Sequence, residues 1–405
     1  MNTPEHQAIV RLAFACLKSR ADQPVCALAP GVRNACMLPD EVALPLLRGE
    51  RGRWRPYFPA VLPRFNFEHD QRDFRAMLPA NRFYLEQILA SLRDGRPAEA
   101  ARFLGVYSHY LGDFSQPAHH YELEIGGLLP PPAAKRNCNY HRMLEDVPSS
   151  VATLRHRPRL LGTSVPEVLF RLEGAYAALF RRSVAAVIPM TRAVYADRLD
   201  RATAALDPVL RATAALFADF CHTVAALAQQ RFTAAELRVL ATCDLRAIEP
   251  HAWDAEYNFG QRPLVDVICL RQYGPAEPLA VWGRRGGRRA VVVVPGLCAI
   301  PHALPMPGVK MQSALEYQLP PRVFQRFTAT VGLLATDRPQ APCVFVVQVD
   351  GRTVYRSGWQ RPGDLAVAVD VRLGRARRLR LLVRTDGSTD KLAYPVWGNP
   401  RLAKA

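Results

Sequence analysis

Near residue 250 the spacing of apolar residues changes from three-and-four to two, and one layer of regular structure cannot satisfy both rules. Before that point Ile9, Val10, Phe14 and Leu17, or Ala212, Leu216, Phe220, Val224 and Leu227, fall on helical stripes. Helices are expected over about 5–19, 79–93, 97–116, 138–146, 166–186, 191–204 and 207–230, with Pro and Gly marking the loops. Beyond about 260, short β-branched runs at 290–294, 327–331, 343–349, 365–371 and 379–383 alternate as strands do. Asp350-Gly351, ahead of Thr353-Val-Tyr355, is a hairpin-turn signal. The expected architecture is multidomain: an all-α domain over 1–240, a linker over 241–265, and an all-β jelly-roll sandwich over 266–405.

Size agrees with two cores, because 405 residues at 49% hydrophobic exceed what one core usually holds. No stretch of about 18 apolar residues is free of charge, so no transmembrane segment is expected. The start, Met1-Asn-Thr-Pro-Glu-His6, has no basic region followed by an apolar one. A cytoplasmic location is the default expectation, with secretion left open should the N terminus be incomplete. The nine cysteines are odd in number, scattered and free of C-x-x-C pairs, which reads as buried thiols in a reducing compartment. A net charge of +17, with basic runs at 284–289 and 372–384, admits a nucleic-acid or anionic-membrane partner. Because no aromatic-interleaved basic motif accompanies it, the arginines are expected to be spread over solvated faces.

The chemistry concentrates in His109-Tyr-Leu-Gly-Asp113-Phe-Ser-Gln-Pro-Ala-His119 and in His141-Arg-Met-Leu-Glu145. Residues four apart on a helix lie about 40° around the axis and one turn along it. His109 with Asp113, and His141 with Glu145, can therefore each offer two metal ligands from one face. Pro117 is expected to kink or stop the first helix, re-aiming His119, which a straight helix would point away from the His109/Asp113 face. His156, His222, His251 and His302 lie outside any motif and read as structural or surface residues.

At these residues the chain resembles the zinc-dependent phospholipase C family, whose helical fold is shared with the single-strand-specific zinc nucleases. The resemblance implies that His109, Asp113 and His119 are zinc ligands and that His141 and Glu145 complete the site begun by His119. Spacing favours His119 over His120 as that ligand. Cys36-Met-Leu-Pro-Asp40 is similar to the segment supplying a bridging carboxylate, making Asp40 a ligand and the expected proton acceptor from the attacking water. His69 is implied as a further ligand, and His6 as the ligand of a third zinc that shares Asp113. Secreted members complete that third site with an N-terminal tryptophan, which this sequence lacks, so two or three ions are expected. Clustered zinc activates water and clamps a phosphate. The implied activity is hydrolysis of a phospholipid or other phosphate ester; alternatives are a zinc nuclease or nucleotidase, and a glycan-binding protein with structural zinc. Glu145 favours the phospholipase branch, whereas Asn139-Tyr-His141 is shared with the nucleases.

From about 285 onward the chain resembles the NPCBM group of carbohydrate-binding modules, through Ser313 to Leu319, Arg326 to Gly332, Phe345 to Gly351, Tyr355-Arg-Ser-Gly358, Leu379 to Val383 and Trp397-Gly-Asn-Pro400. A glycan partner is implied. Trp359, Tyr394 and Trp397 are the aromatic candidates for it, and scaffolding or oligomerisation is the alternative role.

Overall fold

The computed structural model describes residues 3–41, 55–58, 78–121, 125–126, 128–129, 132, 138–255, 278–298, 312–337, 339–386 and 393–405. The chain divides into two compact units, Met1–Leu237 and Arg238–Ala405. A helical part is followed by an all-β sandwich.

In the first unit the described α-helices are α1 (Thr3–Phe14), α2 (Gln23–Cys26), α3 (Ala29–Ala35), α4 (Leu78–Arg93), α5 (Pro97–Ser115), α6 (Tyr140–Glu145), α7 (Val165–Tyr195) and α8 (Leu199–Gln229). The next, α9 (Ala234–Leu240), runs across the division between units. Pro97 starts α5, where its missing N–H costs no hydrogen bond. Every residue from Phe103 to Gly112 is buried, so this helix is enclosed all round rather than on one stripe. Such close approach needs small residues. A Cβ on Gly105 would lie 2.6 Å from the Ala35 Cβ of α3, and one on Gly112 would lie 2.7 Å from His6 Nδ1 of α1. Tyr84, Tyr107, Tyr110, Phe114, Tyr176, Phe217 and Phe220 fill the space around α5. Tyr107 and Tyr176 spare each other an unmade hydrogen bond by pairing hydroxyls at 2.9 Å.

Two expectations for this unit change. The break expected between 186 and 191 is absent, since α7 runs through it with Pro189 inside, and the helix expected over 191–204 is divided between the end of α7 and the start of α8. Proline removes one backbone bond there, but Met190, Ala193 and Val194 are buried against Tyr140 and Leu144 and hold the helix together. The break falls instead at Asp197, whose φ of 51° is left-handed, and Arg198 N–H closes the end on Ala193 O at 2.8 Å. By length and composition α8 is apolar enough to cross a membrane, yet 83% of its apolar window is buried inside the structure. It is a core helix.

The second unit holds two antiparallel sheets. One runs β3 (Pro278–Arg285), β4 (Arg288–Cys298), β11 (Pro395–Ala403), β6 (Arg326–Leu333), β9 (Val367–Arg372), with β1 (Thr242–Asp244) also paired to β11. The other runs β2 (Ala252–Ala255), β5 (Gln312–Gln318), β10 (Arg378–Thr385), β7 (Cys343–Val349), β8 (Arg352–Arg356). Since β6 pairs along most of β11, β1 and β4 share the opposite edge, against 401–403 and 396–398 respectively. The stretch 241–265, expected to be a linker, thus supplies β1 and β2; three- and four-residue strands are too short for their alternation to stand out in a sequence. Asp350 (φ 49°) and Gly351 (φ 83°) form the expected hairpin turn, both left-handed as that turn demands.

Trp397 occupies the interior of the sandwich. It is fully buried and packs edge-on against Phe345 of the facing sheet, ring centroids 5.2 Å apart. That removes it from the aromatic candidates for glycan contact. Tyr394 packs against the cluster of Leu279, Val281, Val294 and Val396, whereas Trp359 is 43% exposed. The seven cysteines with described side chains are all free, and Cys16, Cys36, Cys221, Cys243 and Cys343 are buried.

Candidate metal centre

Helix α5 ends at Ser115 because Gln116 turns to extended backbone ahead of Pro117 (φ −76°, ψ 123°). Gln116 N–H satisfies Asp113 O, and the Ser183 hydroxyl of α7 donates to Ser115 O at 2.6 Å. A single 3₁₀ turn, Pro117–His119, then carries His119 back toward the helix it has left. His119 Nε2 consequently lies 3.8 Å from Asp113 Oδ1. The re-aiming expected from Pro117 is realised as a stop rather than a kink.

Two groups of metal-competent side chains result. His6, His109 and Asp113 form one, and His119, His141 and Glu145 form the other; within each group the donor atoms lie within 4.8 Å of one another. In the first group the His6 and His109 rings stack at 4.0 Å, nearly parallel. Their Nε2 atoms reach Asp113 Oδ1 at 3.3 Å and Asp113 Oδ2 at 3.0 Å. Gly112 makes the stack possible, since it leaves room for the His6 ring on the surface of α5. In the second group Glu145 Oε1 is 3.3 Å from His119 Nε2 and 3.2 Å from His141 Nε2. Helix α6 presents the last two. Its N-cap is Asn139, whose side chain accepts from Arg142 N–H at 2.8 Å, and Tyr140 anchors it to Thr191 of α7.

Asp40 sits with the first group, its Oδ1 3.3 Å from His109 Nε2, and its side chain is 58% exposed. His69 lies outside the described residues. His120 is buried against Phe180 and belongs to neither group. Among the described residues Asp113, expected as a ligand beside His109 and shared with a third site, also approaches His119, so its carboxylate links the two groups.

These residues fit a cation on three counts. The acceptor Cys36 O fixes His109 Nδ1 as a donor at 2.8 Å, leaving Nε2 facing the carboxylates of Asp113 and Asp40. An imidazole so placed is either doubly protonated or holds a metal, and a backbone carbonyl behind a ligating histidine is the usual orienting partner. His6 is fully enclosed, and neither ring nitrogen makes a hydrogen bond; its Nε2 nears Asp113 without the alignment of one. Buried polar atoms of that kind are costly unless something else satisfies them. The donor set, imidazole nitrogen with carboxylate oxygen, is one zinc accepts readily.

Electrostatics follows the same geometry. Burial lowers the His6 pKa to about 4, with the neighbouring His109 adding to the effect. Burial opposes the charge on His109 as well, but Asp113 and Asp40 outweigh it and push its pKa up to about 10. Burial likewise lowers His119 to about 4, against the pull of Glu145 and Asp113. Asp113 and Glu145 are held far below the carboxylate range because their histidine partners overcome the cost of burial.

His156 and His222, read as structural, both meet carboxylates: His156 Nε2 lies 2.6 Å from Asp219 Oδ1, and His222 sits between Asp22 and Glu236 at 2.6 and 2.7 Å. They line a cavity of about 840 Å³ that none of the candidate metal ligands lines. The Asp22 and Glu236 partners gave no signal in the sequence, lying 200 and 14 residues from His222.

A family model for the NPCBM/NEW2 domain matches residues 308–403. Comparison with curated proteins gave no match. Among solved structures, CBM51 from Clostridium perfringens GH95 in complex with methyl-galactose is similar to 40% of this chain over 99% of its own, at 19% identity and a TM-score of 0.28. The tandem CBM51 modules of a family 98 glycoside hydrolase from Streptococcus pneumoniae match 41% of this chain over 47% of theirs, at 17% identity and a TM-score of 0.30. Alpha-toxin from an avian strain of Clostridium perfringens matches 98% of this chain over 96% of its own, at 10% identity and a TM-score of 0.30.

Proposed function

We propose that the helical unit is a zinc-dependent hydrolase of phosphate esters, most specifically a phospholipase C-like phosphodiesterase. The observation that carries this reading is the pair of N₂O groups, His6/His109/Asp113 and His119/His141/Glu145, joined by the approach of Asp113 to His119. His109, Asp113, Asp40 and His69 would hold one ion, His119, His141 and Glu145 a second, and His6 with Asp113 a third. Bound there, zinc would supply Lewis acidity toward a phosphate and a water acidified toward neutrality.

The chain's own groups divide the remaining work. Cys36 O holds the His109 ring in one tautomer, and Glu145 fixes the relative aim of His119 and His141. Burial opposes the charge on Asp40, but His109 outweighs it and keeps the pKa low, so Asp40, partly open to solvent, would stay ionised at neutral pH and accept a proton from incoming water. For the β unit, the NPCBM/NEW2 match and the exposed Trp359 support a glycan partner.

The test is metal analysis of the purified full chain together with hydrolysis assays on phosphatidylcholine and on single-stranded DNA. Zinc with release of phosphocholine supports the reading. Cleavage of DNA alone would move the activity to the nuclease branch, which the net charge of +17 favours electrostatically. Zinc with neither activity would reduce the metal to a structural role.

A further inference from the structure

The hairpin β3–β4 carries four arginines and no carboxylate over residues 278–298. Its register pairs Arg284 with Arg289 and Arg285 with Arg288, across Gly286 and Gly287, both at positive φ, so all four cluster at the tip. Among the described residues none of the four has a carboxylate partner. Arg289 is tied down through Gly363 O and lies over the Trp282 ring at 4.6 Å.

Side chains alternate across a strand, so Arg289, Val291 and Val293 share a face with their cross-strand partners Arg284, Trp282 and Ala280. The stacking of Arg289 on Trp282 fixes that assignment. The opposite face is core along Leu279, Val281 and Val294, which are buried, and past that core it carries Arg285 and Arg288, which are exposed at the tip. On the outward face Val291 is 47% exposed and Val293 59% exposed. At about 3.3 Å per residue, both valines lie within roughly 13 Å of Arg289.

We infer that this hairpin docks the β unit on an anionic lipid bilayer, with the arginines on the headgroups and Val291 and Val293 entering the interface. Two observations favour a bilayer over a nucleic acid. The exposed side chains next to the arginines are aliphatic, and the aromatic ring on that face is covered by Arg289, leaving no free platform on which a base would stack. A mixed basic and apolar surface is what interfacial binding to anionic lipid requires. The inference does not depend on what the helical unit hydrolyses.

Cosedimentation of the full chain with vesicles, lipid integrity being checked in parallel, provides the test. Binding is expected to phosphatidylcholine vesicles containing phosphatidylserine and to be weak to phosphatidylcholine alone. Each basic residue near an anionic surface is worth about fivefold in binding, so the triple variant R284Q/R285Q/R288Q should partition roughly a hundredfold less. The variant V291S/V293S should keep low-salt binding and lose whatever binding of the parent chain survives high salt. Circular dichroism establishes that each variant is folded; if the triple variant is not, the dependence of parent-chain binding on phosphatidylserine content decides instead. Binding indifferent to phosphatidylserine, a folded triple variant that binds like the parent, or capture of an oligonucleotide without vesicle binding would each overturn the inference.

Discussion

His119 Nε2 lies 3.8 Å from Asp113 Oδ1 because α5 stops between them. The end of the helix therefore shapes the candidate metal centre, since a continued helix would carry His119 away from Asp113 and leave the two groups of candidate ligands unconnected. We expect Asp113→Ala and His119→Ala to strip metal and to lower phosphodiester hydrolysis by more than about 100-fold, the upper range seen on losing even an outer partner of a ligand. Elemental analysis beside activity measurements checks this. Full zinc content in both variants would place the ligands elsewhere.

Gly112→Ala distinguishes packing from helix propensity. Alanine for glycine inside a helix ordinarily gains about 0.5–1 kcal/mol. Here the new Cβ would lie 2.7 Å from His6 Nδ1 and 2.8 Å from its Cε1, in a site with no slack. Overpacking of that sort costs about 1–3 kcal/mol, so the net sign should be destabilising, with His6 displaced. A denaturant midpoint equal to or above that of the parent would show that the His6 ring is not held against α5.

The pH dependence of stability should carry the mark of Asp22–His222–Glu236. Burial disfavours the charge on His222, but hydrogen bonds with Asp22 and Glu236 overcome it and raise the pKa above 6.5. A raised histidine stabilises fully below its unfolded value of 6.5, and that contribution fades as pH climbs through the folded value. Burial also opposes ionisation of Asp22 and Glu236, yet His222, with Ser19 and Thr233, lowers both from 3.8 and 4.5, so their contribution is present above those values and fades in acid. Between about 4.5 and 6.5 the triad is therefore at full strength. His222→Gln leaves two carboxylates without a cation between them and should cost about 3–5 kcal/mol in that window. Thermal melts of both chains across pH measure it; a constant gap at every pH would assign the loss to packing alone.

In the β unit, the two tryptophans should behave oppositely. Trp397→Ala empties the centre of the sandwich and should cost about 3–5 kcal/mol. Trp359→Ala, at an exposed site, should change stability by less than about 0.5 kcal/mol. Differential scanning calorimetry separates the two, and a stable Trp397→Ala variant would contradict the burial.

Period was the legible part of the fold. The switch from helical to alternating spacing marked an α part followed by a β part, and Asp350-Gly351 announced its hairpin. Breaks were harder, because Pro189 sits inside α7 while the true end at Asp197 depends on a left-handed residue that no proline or glycine flags. For the site, the spacing of His109, Asp113, His119, His141 and Glu145 was enough to group them as potential ligands. The stacking of His6 on His109 and the grip of Cys36 O on His109 Nδ1 were not readable, since each joins segments about 70 to 100 residues apart whose meeting depends on packing around α5.

A helix enclosed on every side has no face on which to accumulate neutral change. Across α7, with exposed and buried positions alternating at helical intervals, tolerance to substitution should rise and fall every three or four residues. Between Phe103 and Gly112 it should stay uniformly low, glycines included, so the segment that carries His109 and leads into Asp113 is also the one least free to drift. Long divergence would then leave this stretch legible after the rest of the helical unit has become unrecognisable.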